Sequence, residues 1–509
     1  MKQILAIICL VMCGQLSAQR IFYARSERSD LKSMNFEVIG KFNRQYLIYK
    51  EAKNVHRISV YDASMELKDE TLLDFIPDRV SSVECFGLRN GVFIVYQYQK
   101  RNISYCMAAR LDAAAKLTGE PIVVDTTVLS LVNNEGKIYS FVMSDDRQKI
   151  VAFKMKNDYR DELDVKMILM NDSLRILKKS VFTYPVKSNQ ETIGNFAVDN
   201  DGHFLFTHVQ QSVQRDQPNL LQVCTLLSGT DSLQKNVISI GRANPDEVKM
   251  KLDQVNARCV LTSFYANSRR GNMDGLLYID FDYIHASVRT QKLYEFSDEL
   301  KSLAKGENSL QGAFNDYYLQ DFYIRKDGGF ILFAESNYTN NRGNGFNRWD
   351  NPYNWGGGWG RGSGMYWGMS PFNNFGWGMP GSMGNFGSMT TRYFSDNITI
   401  FSFNKEGELI WNNVLPKIQF DDNTDDLLSY RLLNNGKEIF ILYNEWTRRA
   451  PALAVQTMTA EGKFSRQQPL RNMDKGYEFL IRKARQVGLR ELIVPVSYRN
   501  TISFARISF

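Results

Sequence analysis

Five short turn signals set the frame for this chain. Asn90-Gly91, Asp145-Asp146, Asp201-Gly202, Asp327-Gly328 and Asn435-Gly436 each stand between two runs rich in β-branched and aromatic residues. Asx and Gly pairs in that setting mark tight hairpins, because they accept the left-handed backbone that a two-strand reversal needs. Asn90 and Asp145 are 55 positions apart, and Asp145 and Asp201 are 56 apart. The step from Asp327 to Asn435 is 108, and removing one long Gly-, Asn-, Trp- and Met-rich stretch restores the period. Behind each first hairpin comes a second, as the turn at Lys405-Glu-Gly407 follows that at Asp327-Gly328. Two hairpins make a four-stranded unit, and copies begin near residues 36, 83, 138, 196, 250, 321, 430 and 477.

Known propeller blades repeat every ~40–50 residues, and the resemblance is to β-propellers as an architecture, across nearly all of the chain. The expected fold is all-β: a single β-propeller of eight blades, or of seven if one unit has been divided wrongly. The eighth unit supplies only three strands, at 477–481, 491–496 and 501–509, while a spare β-rich run stands at 20–24. That N-terminal run is expected to complete the last blade, since closure removes a free strand edge that would invite aggregation. Neither the Trp-Asp nor the kelch signature occurs. The chain resembles the uncharacterised secreted propellers of Gram-negative bacteria related to Bacteroides, a likeness that brings no catalytic residues with it. One short helix is expected over 297–305, capped by Ser297, with Asp298 and Glu299 in its first turn and Gly306 after its end.

The N-terminus predicts export. Lys2 precedes an apolar run at 4–12 and then small residues up to Ser17-Ala18-Gln19, the pattern of a signal peptide over 1–19. The run is too short to span a bilayer. Cys13 offers a lipidation alternative, disfavoured because Met12 occupies a position where such signals want a small residue. The four cysteines that would remain after cleavage, Cys85, Cys106, Cys224 and Cys259, each fall inside an apolar run and are expected as small buried hydrophobes. A periplasmic, outer-membrane-associated or extracellular protein is expected, with no transmembrane span in the mature chain. The net charge of +7 is spread over 509 residues without a Lys/Arg block, so no nucleic-acid partner is expected.

The long stretch is the exception, and it is where function is expected. Within an insertion drawn at about 338–392, residues 341–390 hold 14 Gly, 5 of the chain's 7 Trp, 5 Met and only 4 charged residues. A solvated Gly/Asn linker is the plain reading, but five Trp, two Tyr and four Phe are unusual for one. Aromatic side chains supply much of the energy at protein interfaces and also stack on sugar faces. Trp349, Trp355, Trp359, Tyr366, Trp367 and Trp377 are therefore the candidate partner-binding residues, for an envelope protein or complex, with a glycan as the other possibility. The loops at 210–218 and 266–272 join the same pair of strands in their own blades and point to one elaborated face.

Signals for chemistry are sparse. The four histidines are His56, His203, His208 and His285; His203 and His208, five apart on one strand, point to opposite faces and make no ligand pair. Asp199-Asn-Asp-Gly202 begins like a calcium loop without the distal Glu, and a hairpin turn accounts for every residue. The cluster Asp421-Asp422-Asn-Thr-Asp425-Asp426 is expected in an inter-blade loop. No catalytic residue, metal site or cofactor is expected. The leading expectation is an exported, non-enzymatic binding or assembly scaffold of the envelope. Its alternatives are a carbohydrate-active or glycan-binding propeller using the channel mouth and, last, an outer-membrane barrel.

Overall fold

The computed structural model describes the chain from Gln19 onward except residues 26, 29–33, 130–136, 159–161, 187–190, 211–218, 242, 269–270, 307–311, 342–390, 423, 447–450, 472–475 and 499–500. Among the described residues the strands form eight separate antiparallel sheets, an eight-bladed β-propeller. Blade 3 shows the plan: Tyr139–Met143, Lys149–Asp158, Glu162–Asn171 and Ile176–Pro185 pair in chain order. Separate sheets overturn the barrel alternative, which requires one continuous sheet. The chain divides into two compact units, one of the residues up to Leu73 with Asp426–Phe509, the other of Asp74–Asp425. Blades 2 to 6 lie in the second unit, and blades 1, 7 and 8 in the first.

Each expected first-hairpin turn is present. Gly328 sits at φ +83° and Gly436 at +86°, a backbone that only glycine takes without strain. The second hairpins use a device that spacing did not signal. Asp62 Oδ1 accepts from the Ser64 and Glu66 amides at 2.8 and 3.0 Å, and Asp112 Oδ1 from Ala114 and Lys116 at 2.8 and 2.9 Å. Asn171 Oδ1 likewise accepts from Ser173 and Arg175 at 3.1 and 2.9 Å. These Asx turns hold Met65, Ala115 and Leu174 at φ +61°, +61° and +66°.

Blades pack through apolar faces and lock through side-chain amides. Phe153, Leu163 and Val165 of blade 3 share one core with Phe196, Phe204 and Leu226 of blade 4. Gln97 of blade 2 reaches blade 3 by donating to Tyr139 O at 2.8 Å and accepting from the Ile138 and Tyr139 amides at 2.9 and 2.8 Å. Asn195 of blade 4 holds blade 5 in the same way, through Val248 O at 2.8 Å and the Met250 amide at 3.2 Å. An amide side chain can imitate a peptide group, so it satisfies backbone that no neighbouring strand pairs.

The last blade closes as expected. Arg20–Tyr23 pairs antiparallel with Thr501–Ser508, from Arg20↔Ser508 to Tyr23↔Ala505. Ala24 N donates to Phe504 O at 2.8 Å and Ser503 Oγ to Ala24 O at 2.6 Å. Its inner strand differs from expectation, being split into Glu478–Phe479 and Arg485–Gly488 around a 3-10 turn, Ile481–Lys483. The break falls opposite Val494 and Pro495, because Phe479 pairs with Val496 and Arg485 with Ile493. Pro495 has no N–H for the ladder, and Leu480 N takes its carbonyl at 2.9 Å instead.

Candidate functional site

The six candidate aromatic residues, Trp349, Trp355, Trp359, Tyr366, Trp367 and Trp377, lie outside the described residues, as does the loop at 211–218. What the structure does describe is the root that holds both ends of the insertion. Phe330–Asn341 and Thr391–Phe403, of 12 and 13 residues, are the longest described strands. They stay paired to Asn341↔Thr391, whereas the inner strand of blade 6 begins only at Tyr317, opposite Ser336. The hairpin thus runs five residues past its blade before the insertion starts.

A third strand braces this extension. Phe420–Asp422 pairs with Arg392–Phe394, so part of the acidic cluster expected in a loop is sheet. Asp422 is engaged by Arg392, which donates Nε to Oδ1 at 2.7 Å and Nη2 to Oδ2 at 3.0 Å. Tyr338 and Phe394, cross-strand partners, stack at 4.7 Å with an interplanar angle of 9°. The helix Asp298–Ala304, capped by Ser297 Oγ accepting from the Leu300 amide as expected, abuts the same region. Tyr317 Oη donates to Ala304 O at 2.7 Å.

Beneath these rings lies a buried polar cluster. Glu335 and Lys417 are shielded from solvent and form an ion pair at 2.8 Å. Lys417 Nζ also donates to Ser395 O at 2.6 Å and Gln419 Oε1 at 2.7 Å, and Gln320 Nε2 donates to Glu335 Oε2 at 2.7 Å. Such a pair survives in a low-dielectric interior because each charge faces its opposite and is further held by neutral polar groups. Asp396, 1% exposed, accepts from Tyr338 Oη at 2.7 Å through Oδ2. Its Oδ1 meets no donor at hydrogen-bonding geometry among the described residues. Burial pushes the Asp396 carboxyl above its ordinary value; the Tyr338 hydroxyl, Lys417 and the Gln419 amide oppose that shift without outweighing it. Burial, and then Asp396, raise the Tyr338 phenol.

Sequence reasoning missed this cluster. Its members are distant in the chain and sit where Asn, Ser, Thr and Asp interrupt the apolar alternation, as in Ser336-Asn-Tyr-Thr-Asn-Asn341 and Ser395-Asp-Asn397. The usable signal was the same composition: strand residues that are polar on both faces beside a long insertion.

The other candidates resolve locally. Asp199, Asp201 and His203 come together as a set, yet Asp199 Oδ1 accepts from the Asp201 and His203 amides at 3.0 and 2.7 Å, the geometry of a turn. His203 Nδ1 accepts from the Ser228 amide at 2.9 Å, so the neutral ring carries its proton on Nε2 and neither nitrogen is a ready ligand. His208 belongs to another network, with Nε2 at 3.1 Å from Glu191 Oε2 and Nδ1 at 2.8 Å from Tyr184 Oη. Cys85, Cys106, Cys224 and Cys259 are buried and in no disulfide among the described residues; burial pushes the Cys224 thiol up to about 11, away from reactive thiolate. A hollow beside the root, lined by Ala304, Gly306, Phe314, Asp316 and Tyr317, has room for about one water molecule.

No family profile matches the chain, and no curated protein sequence does. Solved structures share the propeller plan at low identity. The WD40 domain of SCAP from fission yeast matches at 8% identity and a TM-score of 0.41, over 96% of this chain and 98% of that one. Prolyl oligopeptidase B from Galerina marginata matches at 8% identity and a TM-score of 0.41, over 92% of this chain and 56% of that one. An ulvan lyase matches at 9% identity and a TM-score of 0.36, over 82% of this chain and 90% of that one. Likeness at this level carries nothing about activity.

Proposed function

We propose that the protein is an exported binding or assembly scaffold of the cell envelope, in which the propeller presents the aromatic insertion to a protein partner. The observation that supports this is the root: the two longest described strands, a bracing third strand and a buried ion pair hold the insertion's two ends in register. A rigid mount lowers the entropy lost when a contact segment engages its partner. Trp and Tyr separated by Gly and Asn then act as anchoring side chains. The signal-peptide pattern at 1–19 supports export in this reading, and no described helix is long and apolar enough to cross a membrane.

Affinity capture from the native envelope, run side by side with the intact protein and with residues 342–390 replaced by a short turn, tests this reading. The shortened protein is expected to unfold as cooperatively as the intact one and to lose the partner. Capture of the same partner by both proteins would overturn the proposal.

A further inference from the structure

The root holds more buried acid than buried base. Asp396, Glu335 and Asp316 are 1%, 0% and 8% exposed, and Lys417, at 5%, is the one buried lysine among them. Lys417 pairs with Glu335 and donates to Ser395 O and Gln419 Oε1. Glu335 also receives Gln320 and, at 3.3 Å, Asn337. Its charge is therefore balanced by Lys417, whereas Asp396 has no ion-pair partner of its own among the described residues and its Oδ1 no hydrogen-bond donor. The groups facing Asp396 can be named element by element. Phe330–Asn341 contributes Glu335 and the Tyr338 phenol. The start of blade 6 contributes Asp316 and Tyr317, and the segment after the outer strand contributes Lys417. The helix Asp298–Ala304 turns the apolar Leu300 and Ala304 inward, and the Arg392–Asp422 pair further out is exposed and neutral as a pair. The Tyr338 hydroxyl, Lys417 and the Gln419 amide favour a negative Asp396, but Lys417 is the one cation among them and is already paired with Glu335.

We propose that Asp396 is a proton-controlled latch on the root of the insertion: as the neutral acid it keeps the extended hairpin closed, and its ionisation loosens the hairpin. A buried carboxylate without its own counter-charge disfavours the closed form. Opening to water relieves that cost. The sign follows from linkage. With the closed-form value raised, the latch is fully closed below the ordinary carboxyl range near about 4. Opening then grows roughly tenfold for each pH unit until the raised value is passed, and levels off above it. The bearing on partner capture rests on the function proposed above: a loosened root must be re-ordered on binding, so affinity falls as pH rises through this window.

Hydrogen exchange of the intact protein tests the latch. The amides to follow are Asn337, bonded to Asp316 O at 2.7 Å, and Ser395, bonded to Gln419 O at 3.0 Å, with each rate corrected for intrinsic base catalysis. The opening constant is expected to rise with pH and then level off in the natural protein, and to stay flat in Asp396→Asn, which mimics the neutral acid. A flat profile in the natural protein, or the same slope in both, would overturn the latch. Direct titration of the Asp396 carboxyl carbon by NMR needs no variant: a midpoint above the ordinary carboxyl value supports the proposal, and one at or below it refutes it. Neither readout involves a partner, so failure of the latch and failure of partner capture remain separable.

Discussion

Two closures in this molecule solve one problem with opposite chemistry. In blade 8 the chain seals a sheet with a strand from its other end, and the seal is apolar. Ile21 and Tyr23 pack on a core that includes Phe479, Val494 and Ile507, while Phe22 and Ala24 pack on one that includes Ile493 and Phe504. In blade 6 the chain seals the neck of an insertion, and the seal is polar: Glu335, Lys417, Asp396 and Tyr338 sit under a thin cover of rings. An apolar seal is held by area removed from water and is indifferent to pH. A polar seal is held by matched partners, so it fails whenever one is removed or changes its charge.

The largest effect should come from the apolar seal. Removing residues 20–25 bares the edge of Thr501–Ser508, and the protein is expected to aggregate rather than unfold reversibly, seen as light scattering that precedes loss of circular dichroism. Next is Lys417→Met, which strands the Glu335 carboxylate in the interior. It should cost about 3–5 kcal/mol in urea unfolding, and Glu335→Leu added to it should recover much of that loss. If the double variant is no better than the single, matched charge is not what holds the root. Tyr338→Phe removes the hydroxyl that donates to Asp396 Oδ2 and should cost about 1–3 kcal/mol. The smallest effect belongs to Arg392→Ala: its pairing with Asp422 is solvent-exposed, so no change in unfolding midpoint is expected. A clear loss there would blur the distinction between the buried seal and its solvated rim.

These contrasts also explain what the amino-acid sequence could disclose. Hairpin turns are local, and Asp201-Gly202 or Asn435-Gly436 announce them through the backbone that Gly alone accepts freely. The spare run at 20–24 was legible for a similar reason: a unit with three strands implies a missing fourth. The second-hairpin turns at Asp62, Asp112 and Asn171 were less legible, because Met65, Ala115 and Leu174 stand where Gly would be expected. The split inner strand of blade 8 needed knowledge of which residues face Pro495. Least legible was the root. Lys417 and Glu335 meet across 82 positions, and nothing local marks either as a partner of the other. The aromatic insertion itself was plain in composition, which names the type of contact it can make and leaves the partner open.

The measurement that bears most directly on the central claim is site-specific photo-crosslinking from within the insertion. A photoreactive phenylalanine analogue would be placed at Trp359, and the intact protein irradiated in its native envelope. The account predicts a discrete adduct with the same partner that affinity capture recovers, absent when residues 342–390 are replaced by a short turn. Recovery of that partner with no adduct from the insertion would contradict it, and would move the binding surface onto the blades.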